Sequence, residues 1–174
     1  MKNVFCVLVL AVVFCYSDNA FAFGQSKFEK EVETEASAIK LLREFQRGGY
    51  EVISTEELHK AIEDGEDVLI IDTMPYEDSY KKNHIPGAKQ FLFPIPEMVE
   101  WDIEETGGKS ISDYESLLGE DKNKKIVVYC GFVKCTRSHN GAMWAAKLGY
   151  TNVFRHPGGI FAWKGAHFDV ATEE

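Results

Sequence analysis

Apolar positions along the chain fall into a solid block, a helical stripe and a series of short bursts. The block is Val4 to Tyr16, 13 nearly unbroken apolar residues behind Lys2. The stripe is Phe28, Val32, Ile39, Leu42 and Phe45, roughly at helical spacing within the charged segment Phe28–Arg47. That spacing predicts a helix, and Gly48-Gly49 would end it. Its charges are expected to form a solvated face.

From Tyr50 onward, bursts alternate with polar, helix-favouring stretches. Strands are predicted at Tyr50–Ile53, Val68–Ile71, Lys89–Phe93, Ile126–Tyr129 and Asn152–Arg155. The runs at Val68 and Ile126 are apolar throughout, as buried parallel strands are. A capping box, Ser54-Thr55-Glu56-Glu57, opens a helix that ends near Asp64-Gly65. Further helices are predicted over Pro75–Lys82, Ser112–Leu118 and Ser138–Leu148, the last closed by Gly149, with a short one after Gly158-Gly159. Alternating strands and helices imply an α/β sheet covered on both faces. Ligands of such sheets sit at the carboxyl ends of the strands.

The 174 residues suffice for one domain with an appendage. A composition 45% hydrophobic and 27% charged excludes wholesale disorder. The net charge of −9 argues against a nucleic-acid partner, since a polyphosphate would be repelled. The charge is unevenly spread. Glu97 to Asp121 holds nine acidic residues and one lysine, whereas Lys122 to His156 holds seven Lys or Arg and no acid.

The apolar block reads as an address. Ser17-Asp18-Asn19 follows it, and Ala20-Phe21-Ala22 is an A-x-A cleavage site, so residues 1–22 are expected to be a secretory signal peptide. An uncleaved anchor is the alternative, but a span takes about 20 residues. The expectation is an exported protein, in a bacterial periplasm, with no stable membrane insertion after cleavage. The mature chain would comprise a helical extension (23–49) and one domain (50–170). Cleavage removes Cys6 and Cys15 and leaves Cys130 and Cys135.

Both remaining cysteines lie in the basic block, in the stretch Cys130-Gly131-Phe132-Val133-Lys134-Cys135-Thr136-Arg137 that leaves a buried strand and opens a helix. Loop N–H groups there can form an anion-binding nest. The helix N-terminus adds partial positive charge, and Lys134 and Arg137 add whole charges. All of these favour a Cys130 thiolate, the form that acts as a nucleophile. The same residues, Gly131 to Arg137, would hold an anionic substrate. An inert buried cysteine is the competing reading. The remaining histidines, His59, His139, His156 and His167, show no metal-ligand spacing with the cysteines, and no metal site is expected.

At this point the sequence resembles the single-domain rhodaneses, the sulfurtransferase family. Val68-Leu69-Ile70-Ile71-Asp72-Thr73 is similar to the family's strand ending in aspartate, and His84-Ile85-Pro86-Gly87-Ala88 to its characteristic turn. Ile126 to Cys130 is similar to the strand entering the active loop. Leu148 to Val153 and Gly158-Gly159-Ile160-Phe161-Ala162-Trp163 are similar to the closing elements. The resemblance covers roughly residues 52 to 168. It implies a five-stranded parallel sheet with helices on both faces, here with an N-terminal helical extension. It also implies a catalytic, persulfide-carrying Cys130. Asp72, His84, Gly87, Gly158, Gly159 and Trp163 would be structural.

The loop departs from the common pattern. Arg137 stands seven positions after Cys130, and Cys135 intervenes, as in a subgroup with cysteine, four residues, cysteine. The related phosphatases place arginine at position six, where this chain has Thr136. The segment Phe93–Gly119 is expected to cover the site.

The resemblance implies sulfur transfer from a small anionic donor, thiosulfate or polysulfide, to a thiol or protein acceptor. That chemistry needs no cofactor. Two other readings stay open: a thiol–disulfide redox protein in which Cys135 is the partner of Cys130, and a non-catalytic interaction module.

Overall fold

The computed structural model describes residues 26–173, so the expected signal peptide lies outside the described residues. The helix α1 (Lys27–Gly48) leads into a strand-helix alternation. It runs β1 (Glu51–Val52), α2 (Thr55–Glu63), β2 (Val68–Asp72), a single π-helical turn (Tyr76–Tyr80) and β3 (Lys89–Gln90). Then come α3 (Ile111–Leu118), β4 (Lys125–Tyr129), α4 (Arg137–Lys147), β5 (Val153–His156) and α5 (Gly159–Gly165). The five strands pair in the order β1-β5-β4-β2-β3, all parallel.

Successive residues of a strand face opposite sides, and each side has its own core. Ile71, Ile126 and Val128 pack with Tyr114 and Leu118 of α3, Ala142 and Met143 of α4, and Phe45 of α1. Ile70, Val127 and Tyr129 pack with Leu58 of α2 and Ile160 and Trp163 of α5. Capping boxes at Ser26/Glu29, Ser54/Glu57 and Ser110/Asp113 start α1, α2 and α3. Glycine with left-handed geometry at Gly49 stops α1 (φ 68°).

Three expectations are corrected. The edge strands are shorter than their apolar runs: Tyr50, Ile53, Phe91 and Phe93 are core residues flanking β1 and β3. The apolar stripe of α1 meets the domain only at its C-terminal end, through Phe45, while Phe28 and Val32 are 73% and 65% exposed. Nor are its charges all solvated. Glu44 is buried, because α1 docks against the polar start of α4 and meets a guanidinium there. A polar neighbour, together with the core contact of Phe45, therefore selects which face turns inward.

Phe93–Gly119 flanks the site. The Asn140 side chain amide donates to the carbonyls of Pro94 and Pro96, while its oxygen accepts from the Met98 N–H at 2.9 Å. Phe91, Phe93, Trp101 and Tyr114 form an aromatic cluster beneath it. Arg47 of α1 reaches this segment through Glu97 at 2.6 Å.

Candidate active site

β4 ends at Tyr129, and Cys130 begins the loop to α4. Here the chain passes from a ladder into a helix N-terminus, and its direction is fixed from outside by α5. The N–H groups of Ile160 and Phe161 donate to the carbonyls of Cys130 and Gly131, each at 3.0 Å. Gly159 makes this contact feasible: a Cβ there would stand 2.2 Å from the Cys130 carbonyl oxygen. Its φ of 60° independently favours glycine. Because the Cys130 carbonyl points to α5, the N–H of the same peptide, that of Gly131, points the opposite way, into the loop.

That N–H, together with the N–H of Arg137, bonds the sulfur of Cys135. The nest expected around Cys130 thus serves its neighbour. Cys130 Sγ is fully buried and meets the Cys135 carbonyl oxygen at 3.4 Å, the Phe132 carbonyl oxygen at 3.9 Å and Ser138 Oγ at 3.2 Å. Both thiols are free and buried. Burial and the adjacent Cys135 push the Cys130 thiol well up, while Ser138 pulls it down. The bond from Cys130 holds Cys135 below the usual thiol range, with the two N–H groups and Arg137 helping against burial. Of the two, Cys135 is therefore the more acidic thiol.

The basic side chains are placed differently from the backbone donors. The Arg137 guanidinium donates to the Phe93 carbonyl, and Lys134 is half-exposed, 3.4 Å from Glu33 of α1. Phe132 projects outward and contacts Phe161 of α5; with Val133 it lines an apolar groove against α1 of about 860 Å³. Thr136, nearly buried, accepts from Lys40 of α1 at 2.7 Å.

The residues expected to be structural lie around the loop's other side. Asp72 ends β2 fully buried, its Oδ1 accepting from the Met74 N–H at 2.8 Å. Burial pushes its carboxyl up to about 6, with Tyr129 and Met74 pulling the other way. The Tyr129 hydroxyl accepts from the Ile85 N–H at 3.0 Å, tying the His84–Ala88 turn to β4. His84 stacks on Tyr80 and exchanges backbone bonds with Ala171. Gly87, at φ 80°, completes that turn into β3. Gly158 packs against Ala162 and His156. Trp163 is buried against the stacked rings of His59 and Phe168 and donates to the Asp169 carbonyl.

Sequence reading missed a buried polar network behind the loop. Arg155 of β5 is fully buried on the same sheet face as Val128. It donates to Ser138 Oγ at 3.0 Å, to the Cys135 carbonyl at 3.0 Å, to Glu44 at 2.6 Å and to the Tyr50 hydroxyl at 3.4 Å. Burial opposes ionisation of Glu44, but Lys40 and Arg155 outweigh it and hold the carboxyl below its usual range. Burial also pushes the His139 imidazole down, and its Nδ1 takes the Tyr50 hydroxyl at 2.8 Å. The available signal was one charged residue inside an otherwise apolar strand, Val153-Phe154-Arg155.

The comparisons agree with this architecture. No curated protein matches the chain at a significant level. Solved structures share the fold at low identity. A thiosulfate sulfurtransferase from Pseudomonas aeruginosa is 21% identical with TM-score 0.57, over 80% of this chain and 23% of that one. The polysulfide-sulfur transferase from Wolinella succinogenes is 14% identical with TM-score 0.53, over 86% and 96%. A Bacillus halodurans protein is 23% identical with TM-score 0.52, over 82% and 86%. The Rhodanese-like domain family matches residues 54–166, from the α2 cap to the end of α5. With that match spanning four of the five strands, the cysteine loop and both closing glycines, the chain belongs to the rhodanese-like domain family.

Proposed function

We propose that the protein is a sulfurtransferase that carries sulfane sulfur on Cys130. The observation that supports this is the free Cys130 thiol at the carboxyl end of β4, 3.2 Å from Ser138 Oγ and in one loop with a second free thiol, Cys135. Proton transfer to Cys135 leaves Cys130 ionised. Its sulfur attacks the outer sulfur of thiosulfate or a polysulfide. A new S–S bond forms, the donor's S–S bond breaks, and sulfite or a shorter polysulfide leaves with the electron pair. An acceptor thiolate then attacks the terminal sulfur of the persulfide, and the Cys130 thiolate departs. The persulfide is anionic, and the Ser138 hydroxyl, 3.2 Å from Cys130 Sγ, is the donor beside it.

The proximity of two free thiols also supports a thiol–disulfide reading, in which Cys135 closes a bridge with Cys130. Mass spectrometry after thiosulfate treatment separates the two. One added sulfur on the tryptic peptide Ile126–Lys134 is expected. A bridge between that peptide and Cys135, without added sulfur, would select the redox reading, and neither change the interaction module. Export is a further part of the proposal, supported by the residue pattern of 1–22. The mature chain should begin at Phe23, checked by N-terminal sequencing from a secreting host.

A further inference from the structure

Of the three polar atoms around Cys130 Sγ, two are held by one guanidinium. Arg155 Nε donates to Ser138 Oγ, and its Nη2 donates to the Cys135 carbonyl oxygen. These atoms lie 3.2 and 3.4 Å from the sulfur. A serine oxygen that accepts from a cation keeps its own proton for another partner. The partner at hand is Cys130 Sγ, so Ser138 donates to the sulfur once it is ionised. The carbonyl would repel a thiolate, and Arg155 occupies its lone pair. A charge-assisted bond of this sort is stronger than a neutral one, and burial keeps water from screening it.

We propose that Arg155, acting through Ser138, is the positioning residue that makes Cys130 ionisable, and that Glu44 of α1 sets how much of its charge reaches the sulfur. The N-terminal helix is thereby part of the catalytic apparatus. Glu44 and Ser138 bond opposite ends of the guanidinium, so the pair presents its positive end to Cys130 and its negative end to α1. Other groups frame this axis. Lys40 of α1 bonds Glu44, Tyr50 accepts from Arg155, and His139 of α4 bonds Tyr50 and faces Glu97. On the loop side stand Cys135 and the Arg137 charge, and Asp72 of β2 acts on Cys135 through space. Among these, Arg155 alone is a cation bonded to groups that touch Cys130 Sγ.

The charges give the proposal opposite signs at two positions. Removing the Arg155 charge withdraws support from the thiolate. Removing the Glu44 charge, with its shape kept, leaves a less compensated cation and adds support. A scaffold role predicts that both changes act in the same direction.

The proposal rests on Cys130 as the reacting sulfur, yet its test needs no sulfur donor. Iodoacetamide alkylation of Cys130 is followed against pH on peptide Ile126–Lys134, in the full chain carrying Cys135→Ser, so that the midpoint belongs to one thiol. Arg155→Met should raise the midpoint by about one pH unit, slowing alkylation at neutral pH about tenfold. Ser138→Ala should raise it by less, and Arg155→Lys should restore part of the Arg155→Met loss. Glu44→Gln should lower the midpoint. An unchanged midpoint in folded Ser138→Ala overturns the proposal, as does a Glu44→Gln shift in the same direction as Arg155→Met. If Arg155→Met fails to fold, the Ser138→Ala and Glu44→Gln arms decide it alone. Failure of thiosulfate to load Cys130 would defeat the sulfurtransferase reading while leaving these midpoints interpretable.

Discussion

The two sulfurs of the active loop are five residues apart and have opposite surroundings. Cys130 looks onto carbonyl oxygens and a hydroxyl; Cys135 is served by the backbone N–H groups of Gly131 and Arg137. The first environment resists a negative charge, and the second invites one. The difference owes little to the basic side chains that crowd this part of the sequence, among which the Arg137 charge favours the Cys135 thiolate less than either N–H group does. Lys134 reaches Glu33, and Arg137 donates to the Phe93 carbonyl. It is made by the direction of peptide units, set by α5 on one side and Arg155 on the other.

The largest expected effect comes from deleting the carrier. Cys130→Ser should lower sulfur transfer to below about one per cent of the parent, because a serine hydroxyl does not ionise in this pH range. Steady-state rates with thiosulfate and unchanged circular dichroism check it. Retained activity would move the carrier to Cys135.

Next comes the proton partner. Cys135→Ser should still load one sulfur but lose the site's low-lying ionisation. Cys135 is held below the usual thiol range and Cys130 above it, so the rate's alkaline rise should move to higher pH. A rate about tenfold lower near neutrality corresponds to one unit of that shift. A pH profile superimposable on the parent would show that Cys130 ionises unaided.

Gly159→Ala tests the peptide orientation itself. Its Cβ would displace the Cys130–Gly131 peptide, and the left-handed backbone adds strain, costing about 1–3 kcal/mol in stability. With the Gly131 N–H turned aside, the Cys135 ionisation midpoint should rise. Urea unfolding and peptide-resolved alkylation of Cys135 measure the two parts. The smallest effect belongs to Lys134→Met. Lys134 is half-exposed and its pairing with Glu33 lies at the surface, so stability should change by less than about 0.5 kcal/mol. Loading by thiosulfate should change less than about twofold, since such a solvated charge contributes little. A tenfold loss would show that the side chain swings onto the donor during turnover.

Much of the molecule was legible in the chain. Apolar runs at Val68–Ile71 and Ile126–Tyr129 mark the buried central strands, because a strand covered on both faces has no polar side. Ser54-Thr55-Glu56-Glu57 marks the start of α2, because a capping box is local chemistry. The position of Cys130 at the end of β4 follows from the same strand pattern.

What the tertiary structure decided is where each polar group points. Arg155, Glu44 and Ser138 lie on β5, α1 and α4, far apart in sequence, and meet only because β5 lies beside β4 and α1 docks on α4. No local spacing encodes that meeting. The outward stripe of Phe28 and Val32 and the inward Glu44 follow for the same reason: helix periodicity identifies two faces, but the groups on the neighbouring element decide which is buried. Backbone direction is decided the same way. The N–H of Gly131 faces Cys135 because the Cys130 carbonyl is taken by α5, which returns to the loop nearly thirty residues later through Gly159.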